Sequence, residues 1–145
     1  MKRTSLLICL AGLIACAGIV TGAMQSAQPK PYKVVFDLTS PDAMDQRAVL
    51  RWIKEVSGVN PQSEMEVVMY GRGLDLVISG KSTMAAEVAD ALKTAKVKFN
   101  VCAIAMKNQQ LDKSQLLPNM NIVPDGIGEI VAKQNAGWGY IKVGH

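Results

Sequence analysis

Histidine is almost absent from this sequence of 145 residues, and cysteine and charged residues are sparse. Because the one histidine is the terminal His145, a Cys-His or Ser-His pair within one subunit would require the tail to fold back onto the site. Three cysteines, without a CxxC pair, leave too few ligands for a metal cage. Neither a complete dinucleotide-binding loop nor a P-loop occurs. We therefore expect no metal and no cofactor.

The composition that remains is that of one folded domain. Hydrophobic residues make up 49% of the chain and charged residues 19%, which excludes a wholly disordered protein. The length is sufficient for a single hydrophobic core and too small for two ordinary ones.

The first 23 residues have the order of an export signal. Lys2 and Arg3 form a basic start, residues 6–20 are uncharged, and residues 21–23 are small. The apolar run is short for a membrane span of about 20 residues. We predict cleavage near Ala23 and a periplasmic or otherwise exported mature protein with no stable membrane span. In an alternative interpretation, residues 13–16 resemble a bacterial lipobox, and the protein is lipid-anchored at Cys16.

Removal of this segment changes the charge and the thiol content. Without Lys2 and Arg3, 14 basic residues stand against 12 acidic ones, a net charge of +2 with no basic cluster, so we expect no nucleic-acid partner. Cys102 is then the one remaining cysteine, which excludes an internal disulfide. Residues 24–31 are polar and contain proline, and we expect a flexible lead-in there, followed by one domain over residues 32–145.

Strand and helix patterns alternate along that domain. β-Branched and aromatic residues predict strands at 32–38, 64–70, 97–102, 120–123 and 138–143. Apolar residues at helical spacing predict helices from Ser40, the expected N-cap, to Gly58, at 82–95, at 103–110 and before Gly137. Strands separated by helices imply an α/β fold with an open, mostly parallel five-stranded sheet that is covered on both faces.

We expect any ligand-binding or catalytic site to lie at the carboxyl ends of the predicted strands. Ligands of open parallel sheets bind beyond those ends. The segments that follow them are residues 37–42, 71–73, 102–106 and 124–126. We expect these four loops to meet at one edge of the sheet, with Cys102 among them.

Cys102 is the candidate nucleophile. Because it ends a predicted strand, the backbone N–H groups of Ala103 and Ile104 are expected to point toward its sulfur and to favour the thiolate. Lys98 or Lys107 would assist if either turned inward. Such a thiolate suits a nucleophile or a carrier of sulfane sulfur. The alternative interpretation is that Cys102 is a small buried hydrophobic residue with a structural role.

Two glycine-containing loops are candidate anion sites. Gly71, Arg72 and Gly73 follow a predicted strand, and Gly126 lies at the start of a predicted helix, where backbone N–H groups could bind an anion. An ordinary turn is the favoured interpretation of both loops.

Three segments together resemble the DsrE/DsrF-like family. They are VKFNVCAIAMK at 97–107, LLPNMNIVPDG at 116–126 and QNAGWGYIK at 134–142. The glycine turn at 71–74 is similar to the family's turn after its second strand. The resemblance covers nearly the whole predicted mature chain.

This resemblance implies a three-layer α/β/α sandwich that assembles into homo-oligomers, commonly trimers or hexamers. It also implies a role in sulfur relay, with a persulfide on the cysteine that aligns with Cys102. We therefore expect an exported sulfur carrier, sulfurtransferase-like at most, with a sulfur-donor or sulfur-acceptor protein as partner. The alternative is a non-catalytic homo-oligomeric module that binds a small ligand or a protein and in which Cys102 is structural.

Overall fold

The alternation of strands and helices produces one parallel sheet flanked by helices. The computed structural model describes residues 30–144. The predicted signal peptide, most of the predicted lead-in and His145 lie outside the described residues. The strands are β1 (Lys33–Leu38), β2 (Glu64–Met69), β3 (Val97–Cys102), β4 (Asn121–Val123) and β5 (Gly139–Val143). The helices are α1 (Ala43–Val59), α2 (Ala85–Thr94), α3 (Ala103–Asn108) and α4 (Gly126–Asn135), with short 3-10 helices at Gly71–Val77 and Lys113–Gln115.

All neighbouring strands of the sheet run parallel, in the order β4-β3-β2-β1-β5. Their carboxyl ends therefore lie at one edge. This confirms the predicted α/β fold with a parallel five-stranded sheet.

The two faces of the sheet are covered unequally. Phe36, Val67 and Phe99 point to the face that carries α1 and α2, where they join the main hydrophobic core. On the opposite face, Val35 and Val68 pack against Ile130 of α4 in a much smaller cluster. Because side chains alternate along a strand, each strand residue belongs to one of these two faces. The helices on the two faces, with the sheet between them, form the three-layer sandwich.

The predicted helix starts are corrected at two places. Asp42, and not Ser40, is the N-cap of α1, since its Oδ1 accepts a hydrogen bond from the N–H of Met44 at 2.6 Å. The Ser40 hydroxyl instead accepts from the N–H of Asp42, so it holds the turn before the helix. Similarly, the Ser82 hydroxyl accepts from the N–H of Met84, and α2 begins only at Ala85. Each serine thus stabilises the approach to a helix rather than its first turn.

Candidate functional site

The loops that follow the parallel strands meet at the carboxyl edge. A Cβ added to Gly73 would lie 2.1 Å from the carbonyl oxygen of Leu38, so the loop after β2 touches the end of β1. The Gln109 side chain, just after α3, donates to the carbonyl oxygen of Gly71 at 2.6 Å. Gly126, at the start of α4, lies against Cys102 at the end of β3. Segments that are far apart in sequence thus form one continuous surface.

Cys102 occupies the junction between β3 and α3. It is a free cysteine, 4% exposed, and its side chain makes no capping hydrogen bond with the first N–H groups of α3. Because Val101 pairs with Met69 in the β3–β2 register, Cys102 lies beside Tyr70, the residue after β2. It alternates with Val101 and so faces the α4 side of the sheet.

Gly126, the first residue of α4, lies against this cysteine. A Cβ at position 126 would lie 3.2 Å from the Cβ of Cys102 and 3.3 Å from both Cδ1 of Tyr70 and Cγ1 of Val68. No side chain fits there without displacing a neighbour. The glycine therefore allows the start of α4 to close over the cysteine. Next to the thiol, Ala103 is half-buried and Ile104 is 53% exposed.

The other predicted site residues do not converge on the sulfur. The Arg72 guanidinium pairs with Asp75 at 3.1 Å, and Gly71, with φ of +53°, opens the 3-10 helix. Lys98 Nζ lies 3.7 Å from a carboxylate oxygen of Glu66, and Lys107 is exposed on α3. The contacts of Gly71 and Arg72 agree with the interpretation of the first glycine loop as an ordinary turn. The positions of the two lysines give no contact with the thiol.

A carboxylate and two phenols lie on the same face of the sheet as the cysteine, and the sequence did not predict that they form a group. The Tyr140 hydroxyl donates to Oδ2 of Asp37 at 2.7 Å, and Lys142 Nζ lies 3.6 Å from the same oxygen. Asp37 is 4% exposed, and within residues 30–144 its Oδ1 has no hydrogen-bond partner. Tyr70 follows β2, the strand between β1 and β3, and lies two residues closer to the carboxyl edge than Val68, the register partner of Asp37.

The electrostatics of this group keep both phenols protonated. The hydrogen bond to Asp37, together with burial and the Asp37 charge, raises the pKa of Tyr140 to about 12. Burial is the largest cause that raises the pKa of Tyr70, followed by Asp37 and then by Asp125 and Cys102. Both hydroxyls remain hydrogen-bond donors over the physiological pH range.

Each of these residues interrupts or ends an apolar strand pattern in the sequence. No single segment of the chain shows that the three belong together. Asp37 and Tyr140 each alternate with apolar strand residues, and Tyr70 ends a strand pattern. Only the parallel register of β5, β1 and β2 places them on the same face of the sheet, the face of α4, with an offset of two residues from each strand to the next. A polar residue in the middle of a strand that is covered on both faces is the feature to look for.

The comparison with protein families decides the classification. The model of the DsrE/DsrF-like family matches residues 33–143. The chain belongs to the DsrE/DsrF-like family. This confirms the resemblance found in the sequence. No curated protein matches the chain significantly.

Solved structures share this fold. The chain is similar to a protein of unknown function, MTH1491 from Methanobacterium thermoautotrophicum, with a TM-score of 0.73, 25% identity, and coverage of 77% of this chain and 98% of that one. It is also similar to the ychN protein from E. coli, with a TM-score of 0.64, 8% identity, and coverage of 78% and 99%. A conserved protein of unknown function, BT1422 from Bacteroides thetaiotaomicron, is similar as well, with a TM-score of 0.62, 14% identity, and coverage of 77% of this chain and 94% of that one. The low identities of the last two relate them to the chain through the fold alone.

In this DsrE-like protein, the start of α4 is occupied by its own carboxylate. Asp125 is the N-cap: its Oδ1 accepts from the N–H of Ile127 and its Oδ2 from the N–H of Gly128, both at 3.1 Å. The first N–H groups of α4, beside Gly126, are therefore already bound to an anion. The loop forms a capped turn, which is the interpretation favoured by the sequence.

Over residues 30–144, no group of three or more His, Cys, Asp or Glu side chains is arranged to hold a metal ion. None of the helices in that range is long and apolar enough to cross a membrane.

Proposed function

We propose that this DsrE-like protein is an exported sulfur carrier that holds sulfane sulfur as a persulfide on Cys102. The observation that carries the proposal is the position of Cys102, a free thiol at the carboxyl edge of the sheet where the loops after β1, β2 and β3 meet α4. Membership of the DsrE/DsrF-like family suggests a sulfur-relay-type role. The proposed activity is sulfurtransferase-like at most and needs no cofactor.

The loading step conserves atoms and electrons. The Cys102 thiolate attacks the outer sulfur of a donor persulfide, R–S–SH, and a new S–S bond forms as the S–S bond of the donor breaks. The donor leaves as the thiolate R–S⁻, and the persulfide proton stays on the transferred sulfur or moves to that thiolate. No net oxidation occurs, and the reverse reaction with an acceptor thiolate unloads the carrier. The thiolate is the attacking species in exchange reactions of this kind.

The burial of Cys102 affects how sulfur would reach it. With 4% of the residue exposed, a donor gains access only when α3 or the start of α4 moves aside. The exposed Ile104 lies two residues after the cysteine, and the exposed Ile127 follows Gly126 on α4. A closed site would also protect a bound persulfide from small reductants.

Intact-mass spectrometry after incubation with inorganic polysulfide tests the proposal. We expect a gain of one sulfur atom per chain, which dithiothreitol reverses and which Cys102→Ala abolishes. In the full chain, any sulfur held by Cys9 or Cys16 would remain in Cys102→Ala. The difference in mass gain between the wild type and this variant therefore measures the sulfur on Cys102 alone. A wild-type mass that does not change while a small thiol in the same solution is converted would contradict the proposal.

A non-catalytic, homo-oligomeric binding module is the second candidate, and the burial of Cys102 favours it. The side chain is buried at the edge of the sheet, contacts other buried apolar side chains and makes no capping hydrogen bond, as is typical of structural cysteines. In this case a thiol reagent modifies Cys102 only after unfolding, and Cys102→Ser lowers stability without changing sulfur loading. Alkylation of the folded protein, measured beside that of the urea-unfolded protein, separates the two candidates.

The location and assembly of the protein are parts of the same proposal. The basic start, apolar run and small residues of positions 1–23 support export to the periplasm or beyond, with a lipid anchor at Cys16 as the alternative. Family resemblance supports homo-oligomers, commonly trimers or hexamers, and a sulfur-donor or sulfur-acceptor protein as partner. The net charge of +2 for residues 24–145 gives no support for a nucleic-acid partner.

A further inference from the structure

A groove of about 750 Å³ lies between α1 and α2, on the face of the sheet opposite α4. Its floor is apolar and buried: Leu50 and Ile53 come from α1, Ala91 from α2, and Met84 from the residue before α2. None of these residues takes part in the thiol site. The groove is thus a second concave surface that sulfur carrying does not explain.

The two walls of the groove carry opposite charges. Arg47, Arg51 and Lys54 line the α1 side, and Glu87 and Asp90 line the α2 side. No ion pair within residues 30–144 crosses from one wall to the other. Arg51 pairs with Glu55 of its own helix at 3.4 Å, and this pair is exposed to solvent. The other two cations of the basic wall and both carboxylates of the acidic wall are therefore available to a partner that presents the opposite charges in the same arrangement.

A second copy of this chain presents that arrangement. Since β1, β2 and β3 are parallel and α1 and α2 pack side by side on one face, the two helices run in the same direction. A two-fold axis parallel to both helices places α1 of one copy over α2 of the other. The basic wall then meets the acidic wall twice, and the apolar floors face each other. Such a self-complementary patch is what a two-fold dimer requires.

We infer that the groove between α1 and α2 is a contact surface between two copies of this protein, with the basic wall of each copy against the acidic wall of the other. Met44 lies on the same helical stripe as Arg47, Arg51 and Lys54 and is 75% exposed. Burial of this side chain and of the groove floor would add the apolar contact that stable interfaces contain. The inference is independent of the chemistry at Cys102.

Sedimentation velocity with charge-reversed variants tests this inference on the protein purified in its naturally processed form. In the first variant, Arg47→Glu with Lys54→Glu, both walls are acidic; in the second, Glu87→Lys with Asp90→Lys, both walls are basic. We expect each variant alone to associate through this face about tenfold more weakly than the wild type, or worse, because like charges meet. An equimolar mixture of the two is expected to recover association, since every wall again meets its opposite.

The mixture also controls for folding, because a misfolded variant cannot be rescued by the other. A wild-type protein that is monomeric at high concentration would overturn the inference. It would also be overturned if each variant associated as tightly as the wild type, which would place the interface elsewhere, or if the mixture associated no better than its components.

Discussion

At the scale of single residues, Gly126 determines how closely α4 approaches the thiol. The position of its absent side chain is enclosed by Cys102, Tyr70 and Val68, each with an atom within 3.3 Å. Gly58 is a useful contrast, because a Cβ added there would meet nothing within 4 Å. Both glycines lie in helices, so the comparison separates packing at the site from the general effect of alanine in a helix.

We predict that Gly126→Ala destabilises the protein by about 1–3 kcal/mol, because the added methyl group overpacks the contact between α4 and β3. The same substitution in Gly58→Ala is expected to stabilise α1 by about 0.5–1 kcal/mol through its effect on helix propensity. Urea denaturation measures both changes. If Cys102 carries sulfur, Gly126→Ala also lowers the yield of persulfide while Gly58→Ala leaves it unchanged. Equal stability of Gly126→Ala and the wild type would show that α4 does not close tightly over the cysteine.

At the scale of secondary-structure elements, a buried carboxylate attaches α4 to the sheet. Glu66 of β2 is 2% exposed and accepts hydrogen bonds from Lys133 of α4 and from Asn100 of β3, both at 2.8 Å. Lys133 also lies 4.6 Å from the ring centroid of Trp138. These contacts fix the position of α4 and hence of Gly126 above the thiol.

We predict that Glu66→Gln destabilises the protein by about 2–3 kcal/mol, near the lower limit for breaking a buried ion pair. The cost is moderated because Lys133 keeps a second carboxylate, Glu129, at 3.4 Å. Glu64→Gln is the control on the same strand: its pair with Lys33 is about half-exposed on both sides, and its loss is expected to cost about 0–1 kcal/mol. Denaturation midpoints of the two variants that do not differ would indicate that α4 is held by its apolar contacts alone.

The sequence allowed most elements to be predicted, and the failures have local causes. The bounds of β3 are as predicted, because alternating apolar residues from Val97 lead directly to a helical pattern after Cys102. The start of α1 was misplaced because Ser40 and Asp42 are both good capping residues, and only the folded backbone selects one of them. The 3-10 helix Gly71–Val77 was not predicted, since it depends on the close approach of Gly73 to Leu38, a contact distant in sequence.

The candidate site was predicted in one part and missed in another for a related reason. Cys102 could be located because it ends a strand, and the ends of parallel strands share an edge. The Asp37 carboxylate and the phenols of Tyr70 and Tyr140 could not be assembled without the strand order β3-β2-β1-β5. That order brings together residues up to 103 positions apart, as in the hydrogen bond from Tyr140 to Asp37.

At the scale of the whole molecule, the two faces of the sheet have different roles. The α1/α2 face holds the main hydrophobic core, so it dominates the stability of the fold. The α4 face has a small apolar cluster and carries the polar groups, with Glu66 and Asn100 in the middle of the sheet and Asp37, Tyr70 and Cys102 toward its carboxyl edge. Because less apolar area holds α4, we expect this helix to open before the rest of the domain, which is the movement that access to Cys102 needs.

The processed form of the chain determines whether Cys102 is its only thiol, and the intact mass of protein purified from its native host measures that form. We predict a mature chain that begins at Met24, after cleavage at Ala23, with one titratable thiol per chain in denaturant. Lipidation at Cys16 would also leave one thiol, because the Cys16 sulfur is then a thioether, but the mass would include residues 16–23 and the lipid. Three thiols and the full-length mass would contradict export with processing. Cys9 and Cys16 would then compete with Cys102 in every thiol assay on the natural protein.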